Sequence, residues 1–309
     1  MTIFVSGSLA YDRIMNFPGR FSDHILPDRI HNINVSFNVE SMVERPGGCA
    51  GNISYCLVLL GEQPLTLATL GRDCRVYLDW MEEKGVAVSG VRVIDPERTA
   101  SAYIMTDQGD NQITGFHMGA MLHSADFSFE FYDMTDAIGV VSPGNLDDMA
   151  NFSRYYKENG VTYIFDPGQS LPAWTAEGLK ECIEGAGVLI CNDYELGLIT
   201  NTTGLDEAAL TRMAGAVIVT KGEHGSEVRV GDEVTQIPVV TPRQVLDPTG
   251  AGDSYRGGLV KGIVEGKPLA EAALMGSVTA SFAVEVQGTQ EYTFTMDEFN
   301  ERLAGVKVG

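Results

Sequence analysis

The stretch "VLDPTGAGDSYRGG", Val245 to Gly258, puts an aspartate directly behind a run of small residues. Glycines in such a run let backbone approach a phosphate closely. The GK[ST] ending of a P-loop is missing, and Tyr255 stands where a dinucleotide fingerprint would have its third glycine. Val239 and Val240 lead toward this loop, and Ala251 to Glu265 reads as a helix whose packing face is thinned by Gly257 and Gly258. The loop thus opens a helix N-terminus, where unpaired amides and the positive end of the dipole attract anions. Asp253 falls in the first turn. A carboxylate there can take the proton of a hydroxyl that attacks phosphorus, while the amides of Gly250, Ala251, Gly252 and Asp253 hold the phosphoryl oxygens. Aspartates also stabilise first helical turns without doing chemistry, so the surrounding chain has to decide between the two.

Working outward, short apolar runs bounded by turn residues recur at Ile3–Val5, Ala137–Ser142, Thr162–Phe165, Val188–Cys191 and Ala216–Thr220. Each is strand-sized and rich in β-branched residues, as expected of strands buried on both faces. Helix-like segments lie between or beside them, at Ala50–Leu60, Leu146–Asn159, Pro172–Glu184 and Leu205–Met213. Alternation of this kind predicts an α/β fold with a mostly parallel sheet flanked by helices. Two regions break the rhythm: Arg29–Glu44 and Thr99–Phe116 alternate polar and apolar residues. Both read as antiparallel strands with one wet face. The expectation is one domain over residues 1–309, with a small β-sheet lid drawn from about residues 13–45 and 98–118.

A formal charge of −21, spread along 309 residues, argues against nucleic acid as a partner, since phosphate backbones need clustered Lys and Arg. Five cysteines without CxxC or finger spacing read as reduced thiols. "MTIFVSGSLAYD" lacks the basic start and long apolar core of a signal peptide, and no apolar run is long enough for a bilayer, so a cytoplasmic address without membrane contact is expected.

"DPTGAGDSYRGGL" resembles the signature of the ribokinase-like (PfkB) sugar and nucleoside kinases, with Asp247, Gly250, Ala251, Gly252 and Asp253 at matching positions and Ser254-Tyr255 replacing the commoner small residue plus Phe. Other segments follow in family order. "ERPGGCAGNISY" resembles the N-terminal glycine pair, which implies that Gly47 and Gly48 let backbone approach a substrate hydroxyl and that Asn52 bonds a sugar oxygen. Asp12, in "GSLAYDRI", stands where the family's aspartate accepts two sugar hydroxyls, although an aspartate after a strand is commonly a turn residue. "CNDYEL" resembles the N-x-x-E motif, which implies that Asn192 and Glu195 serve the nucleotide and that Glu195 organises magnesium through waters. The same spacing makes a capping box. In "VIVTKGEHGSEV", Thr220, Gly222 and Gly225 match the nucleotide-side turn, and Gly288 matches the loop glycine near adenine.

The resemblance implies a three-layer ribokinase-like fold and transfer of the γ-phosphoryl of ATP, with Mg²⁺, to a primary hydroxyl. It also implies K⁺ beside the anion hole through Asp247 and nearby carbonyls, and either a monomer or a homodimer clasped through the lid. The segments "NVSFNVE" and "NQITGFHMGAM" resemble bacterial and archaeal adenosine or nucleoside kinases, so Phe37, Phe116 and Met118 (with Met121, Ile33 and Val35) are expected to wall a nucleobase. Adenosine is the favoured acceptor. The alternatives are a free sugar such as ribose, with those side chains merely packing the lid, and a binding protein without turnover on the same scaffold.

Overall fold

A computed structural model of the chain describes residues 1–25, 31–32, 34–109 and 111–306. The five strand-like runs become β1 (Thr2–Ser6), β8 (Ala137–Val141), β9 (Thr162–Phe165), β10 (Val188–Asn192) and β11 (Val217–Thr220). They join β4 (Leu65–Gly71), β5 (Val91–Ile94), β12 (Ser226–Val230) and β13 (Glu233–Ile237) in a nine-stranded sheet of order β13-β12-β11-β10-β9-β8-β1-β4-β5. All its pairings are parallel except β11–β12 and β12–β13, which close one edge as antiparallel hairpins.

Residues alternate across this sheet into two cores. Ile3, Val5, Ile138, Val140, Ile190 and Ile218 face a layer built from α1 (Cys49–Leu59), α7 (Ala251–Val264), α8 (Leu269–Ala283) and α9 (Met296–Ala304). Phe4, Val141, Leu189, Cys191, Val217 and Val219 face α3 (Leu146–Glu158), α4 (Ala176–Ile183), α5 (Asp193–Thr203) and α6 (Glu207–Ala214). The result is the expected sheet between two helical layers. A smaller core of Leu9, Tyr11, Leu70, Tyr77 and Met81 lies at α2 (Arg75–Lys84). The thinning of α7 is real: a β-carbon at Gly258 would lie 2.5 Å from Met275 O, so α7 and α8 touch backbone to backbone.

The helix Pro172–Glu184 starts late, at Ala176, because Thr175 caps it and Pro172 sits in a preceding 3₁₀ stretch. Asp206 likewise caps α6, so that helix starts at Glu207 rather than Leu205.

The lid is a second, four-stranded sheet of order β3-β2-β6-β7, from β2 (Ala10–Asn16), β3 (Ser41–Gly47), β6 (Ala100–Thr106) and β7 (Gln112–His117). Two corrections follow. The sheet is mixed, because β2 and β6 run parallel; β2 follows β1 after three residues, and β6 departs shortly after β5, a strand parallel to β4 and β1 in the same sheet. The alternating segment Arg29–Glu44 supplies a strand only from Ser41, and residues 34–39 carry none. Residues 29, 30 and 33 of that segment lie outside the described residues.

Candidate active site

The opening loop of α7 has the geometry its glycines predict. Gly250 caps the helix with φ 78°, a left-handed conformation that strains any residue with a side chain. Ala251 N donates to Pro248 O at 3.2 Å and Ser254 N to Gly250 O at 2.9 Å. Among the described residues the amides of Gly252 and Asp253 have no acceptor, so the helix end keeps donors for an anion.

Asp253 stands half-buried in the wall of a cavity of about 610 Å³. Burial pushes its carboxyl up to about 6, against the opposing pull of Arg256 and of the Asn52 amide, which donates to Oδ2 at 2.7 Å. Asn52 in turn accepts from buried Gln290 Nε2 at 2.7 Å. Asn52 thus lines the cavity as expected, but its amide group is engaged with Asp253 and Gln290, a use that the sugar-oxygen role did not foresee.

Asp12 lines the same cavity from β2. Burial, then the charges of Asp253 and Asp247, raise its carboxyl to about 6. The glycine pair sits against it. A β-carbon at Gly47 would lie 2.4 Å from Asp12 Oδ2, and Gly48, at φ 89°, would meet Ser8 O at 2.6 Å. Gly48 lines the cavity, whereas Gly47 backs the carboxylate. Strand register carries the wall onward: Asp12 pairs with Ala102, and Ala102 with Phe116, so one rung crosses three strands. All three line the cavity, joined by Met118 and Met121.

Phe37 is placed elsewhere. Its ring packs edge-on against Phe17 and Phe21, with centroids 4.9 and 5.2 Å away, and does not line the cavity. The segment before Ser41 folds back on the β2 end of the lid instead of pairing as a wall strand.

At the start of α5, Asn192 and Glu195 form a complete capping box: Glu195 N donates to Asn192 Oδ1 at 2.7 Å and Asn192 N to Glu195 Oε2 at 2.8 Å. Both residues line the 610 Å³ cavity, and Glu195 Oε1 has no protein donor among the described residues. That free oxygen suits a hydrated magnesium ion, which prefers carboxylate contacts through its own waters. A second cavity of about 370 Å³ adjoins the first, sharing Thr220 and Gly252 with it; Gly222, Gly225 and Ala251 line it beside Val240, Tyr255 and Ala280. Gly288 lies outside both linings; its N donates to Asp247 Oδ2 at 3.0 Å, while Asp247 Oδ1 accepts from Thr249 N at 2.9 Å. A potassium ion at Asp247 would share oxygens that already hold two amides.

Three site residues escaped the sequence reading. Arg256 and Asp166 form a buried ion pair in the cavity wall, and Gln290 anchors Asn52. Arg256 lies inside the opening motif, three residues after Asp253; its position on the same helical face was the available signal. Asp166 and Gln290 offered none.

Taken together, a helix end with unpaired amides, a neighbouring carboxylate and two adjoining cavities suit phosphoryl transfer to an alcohol group. The model of the pfkB family of carbohydrate kinases matches residues 8–295, and the chain belongs to that family. The nucleoside kinase of Methanocaldococcus jannaschii is 32% identical over 288 residues, covering 91% of this chain and 94% of that protein. Its structure, described as an archaeal member of the ribokinase family, superposes with a TM-score of 0.89 over 99% of each chain. Burkholderia thailandensis nucleoside kinase in complex with inosine is 40% identical, with a TM-score of 0.88 over 98% of this chain and 97% of that one. The fold is therefore ribokinase-like, as the resemblance implied. No helix among the described residues is long and apolar enough to cross a membrane.

Proposed function

We propose that this enzyme transfers the γ-phosphoryl group of ATP to the 5'-hydroxyl of a purine nucleoside, with adenosine the first acceptor to expect. The observation that carries this reading is the rung Asp12–Ala102–Phe116 across the lid. Two strand spacings put about 10 Å between its ends, the span of a nucleoside from its ribose hydroxyls to its base. Asp12 then accepts the ribose 2'- and 3'-hydroxyls at one end, and Phe116, Met118 and Met121 bury a base face at the other. A relative that binds inosine supports a purine there.

In this reading Asp253 is the general base. As the 5'-oxygen bonds to the γ-phosphorus, the bond from that phosphorus to the bridging oxygen breaks, ADP leaves, and the hydroxyl proton passes to Asp253. The Gly252 and Asp253 amides stabilise the equatorial oxygens, and Asn52 keeps the base aimed. Asn192 and Glu195 serve the phosphates, and the apolar cavity with Gly222 and Gly225 takes the nucleotide's adenine end. Magnesium, when bound with the triphosphate, neutralises phosphoryl charge, and Glu195 would hold it through water. The lid excludes water that would otherwise hydrolyse the donor.

The test is ATP consumption over a panel of nucleosides and pentoses with magnesium, with and without potassium. Adenosine or inosine should exceed ribose by a hundredfold or so in kcat/KM, equivalent to about 3 kcal/mol. Ribose turned over as efficiently as any nucleoside would leave a kinase but sink the nucleoside assignment. Stimulation by potassium would support a cation near Asp247.

A further inference from the structure

Arg256 lies one helical turn beyond Asp253 and is 7% exposed; Asp166, just past β9, is 1% exposed. Arg256 Nη1 donates to Gly252 O at 2.9 Å and Nη2 to Asp166 Oδ1 at 2.8 Å, while Nε pairs with the other Asp166 oxygen. Arg and Asp are almost never buried this deeply unless paired, so each accounts for the other. Pairing alone does not account for the location, in the wall of the cavity where transfer takes place.

Two features of the contact do. Gly252 C=O and Asp253 N–H are the two ends of one planar peptide unit, so a donor fixed on that oxygen also fixes the direction of the unpaired amide. The cavity's described lining carries four carboxylates, Asp12, Asp166, Glu195 and Asp253, with Arg256 as its cation.

We propose that Arg256, clamped by Asp166, is a positioning residue for phosphoryl transfer: it locks the Gly252–Asp253 peptide and serves as the countercharge of the base. The inference rests on Asp253 being that base. Groups acting on Asp253 come from several elements. Asp12 faces it from β2, Cys49 and Asn52 from α1, and Asp166 from the end of β9; Glu195 of α5 acts on Arg256. Burial raises the Asp253 carboxyl most; Arg256, Asn52 and Cys49 oppose that rise and Asp166 adds to it. A neutral residue at 256 therefore leaves the base protonated at a higher pH than in the parent.

The experiment compares the parent with Arg256→Gln, Arg256→Lys and the apolar double variant Arg256→Met/Asp166→Leu. Removing both members of a buried pair together leaves no orphaned charge, so the double variant should keep its fold by thermal melting. Parent turnover of a nucleoside, and its loss in Asp253→Asn, check the base assignment separately. Arg256→Gln and the double variant should lose about a hundredfold in kcat with nucleoside KM little changed. In Arg256→Gln, which keeps Asp166, the acid limb of kcat/KM should move up by about one pH unit, as expected when a neighbouring opposite charge is removed; in the double variant the lost Asp166 charge offsets that move. Arg256→Lys keeps the charge without the fork, so its acid limb should stay near the parent's while kcat falls about tenfold. A kcat within threefold of the parent in the double variant and in Arg256→Gln would overturn the proposal. So would a loss of rate in Arg256→Gln with an unmoved acid limb, because a merely structural pair would lower activity equally at every pH. Should the double variant fail to fold, Arg256→Lys decides: rate and pH profile both indistinguishable from Arg256→Gln also overturn it.

Discussion

The two ends of the acceptor cavity are built differently. At the base end, Asp253, Asn52 and Gln290 are joined by hydrogen bonds of 2.7 Å, Arg256 and Asp166 by the ion pair, and Arg256 reaches Gly252 O at 2.9 Å, all on elements and turns of the body. At the lid end every residue of β7 is exposed and Phe116 keeps 51% of its surface open. In the proposed reaction the reacting groups sit where geometry is over-determined, and the groups that would choose the acceptor sit where packing is loose. Rate is therefore expected to be fragile to change at one end, and specificity adjustable at the other.

The sharpest way to break that contrast is Asp253→Asn. It should lower kcat by about 10²–10⁴ while nucleoside binding, followed by calorimetry, changes little. Near-normal turnover would remove the base from its role. Next comes pH. With Asp253 and Asp12 both raised to about 6, kcat/KM should fall steeply below that pH, because each must be ionised, one to accept the reacting proton and the other the ribose hydroxyls. A flat profile down to pH 5 would separate both carboxylates from the rate.

At the lid end Phe116→Ala should give up about 50 Å² of apolar contact with the base, roughly 1.3 kcal/mol at about 25 cal/mol per Å², or near tenfold in nucleoside-over-ribose preference. Phe37→Ala should leave that preference unchanged, since its ring packs on Phe17 and Phe21. Equal effects of the two substitutions would place Phe37 on the wall after all. The smallest effect belongs to the capping box. Asn192→Ala should cost about 1 kcal/mol of stability, measured by denaturant unfolding, whereas Glu195→Gln should also raise the magnesium requirement for turnover.

What the sequence revealed follows the same division. Strands buried on both faces write themselves as β-branched runs, and β1, β8, β9, β10 and β11 were legible for that reason. The capping box at Asn192 and the helix opening at Gly250 are local, so a few adjacent residues define them. The direction of β6 beside β2 depends on where β5 ends in space, which no local pattern encodes. Polar–apolar alternation put Phe37 on a lid strand and the likeness of "NVSFNVE" put it on a wall, but neither can tell a strand from a segment that turns back. Asp166 and Gln290 act on residues 90 and 238 positions away, and a lone Asp or Gln announces no such partner.

The two cavities share Thr220 and Gly252 in their linings, and in the proposed reaction acceptor and donor meet between them. A nucleoside joined through its 5'-oxygen to the terminal phosphate of a nucleotide would have its second half delivered at an effective concentration in the millimolar range if the link matches the span. Such a tethered pair should inhibit competitively against both substrates, and its potency should peak at one linker length. Scanning that length would measure, in solution, how far apart donor and acceptor are held.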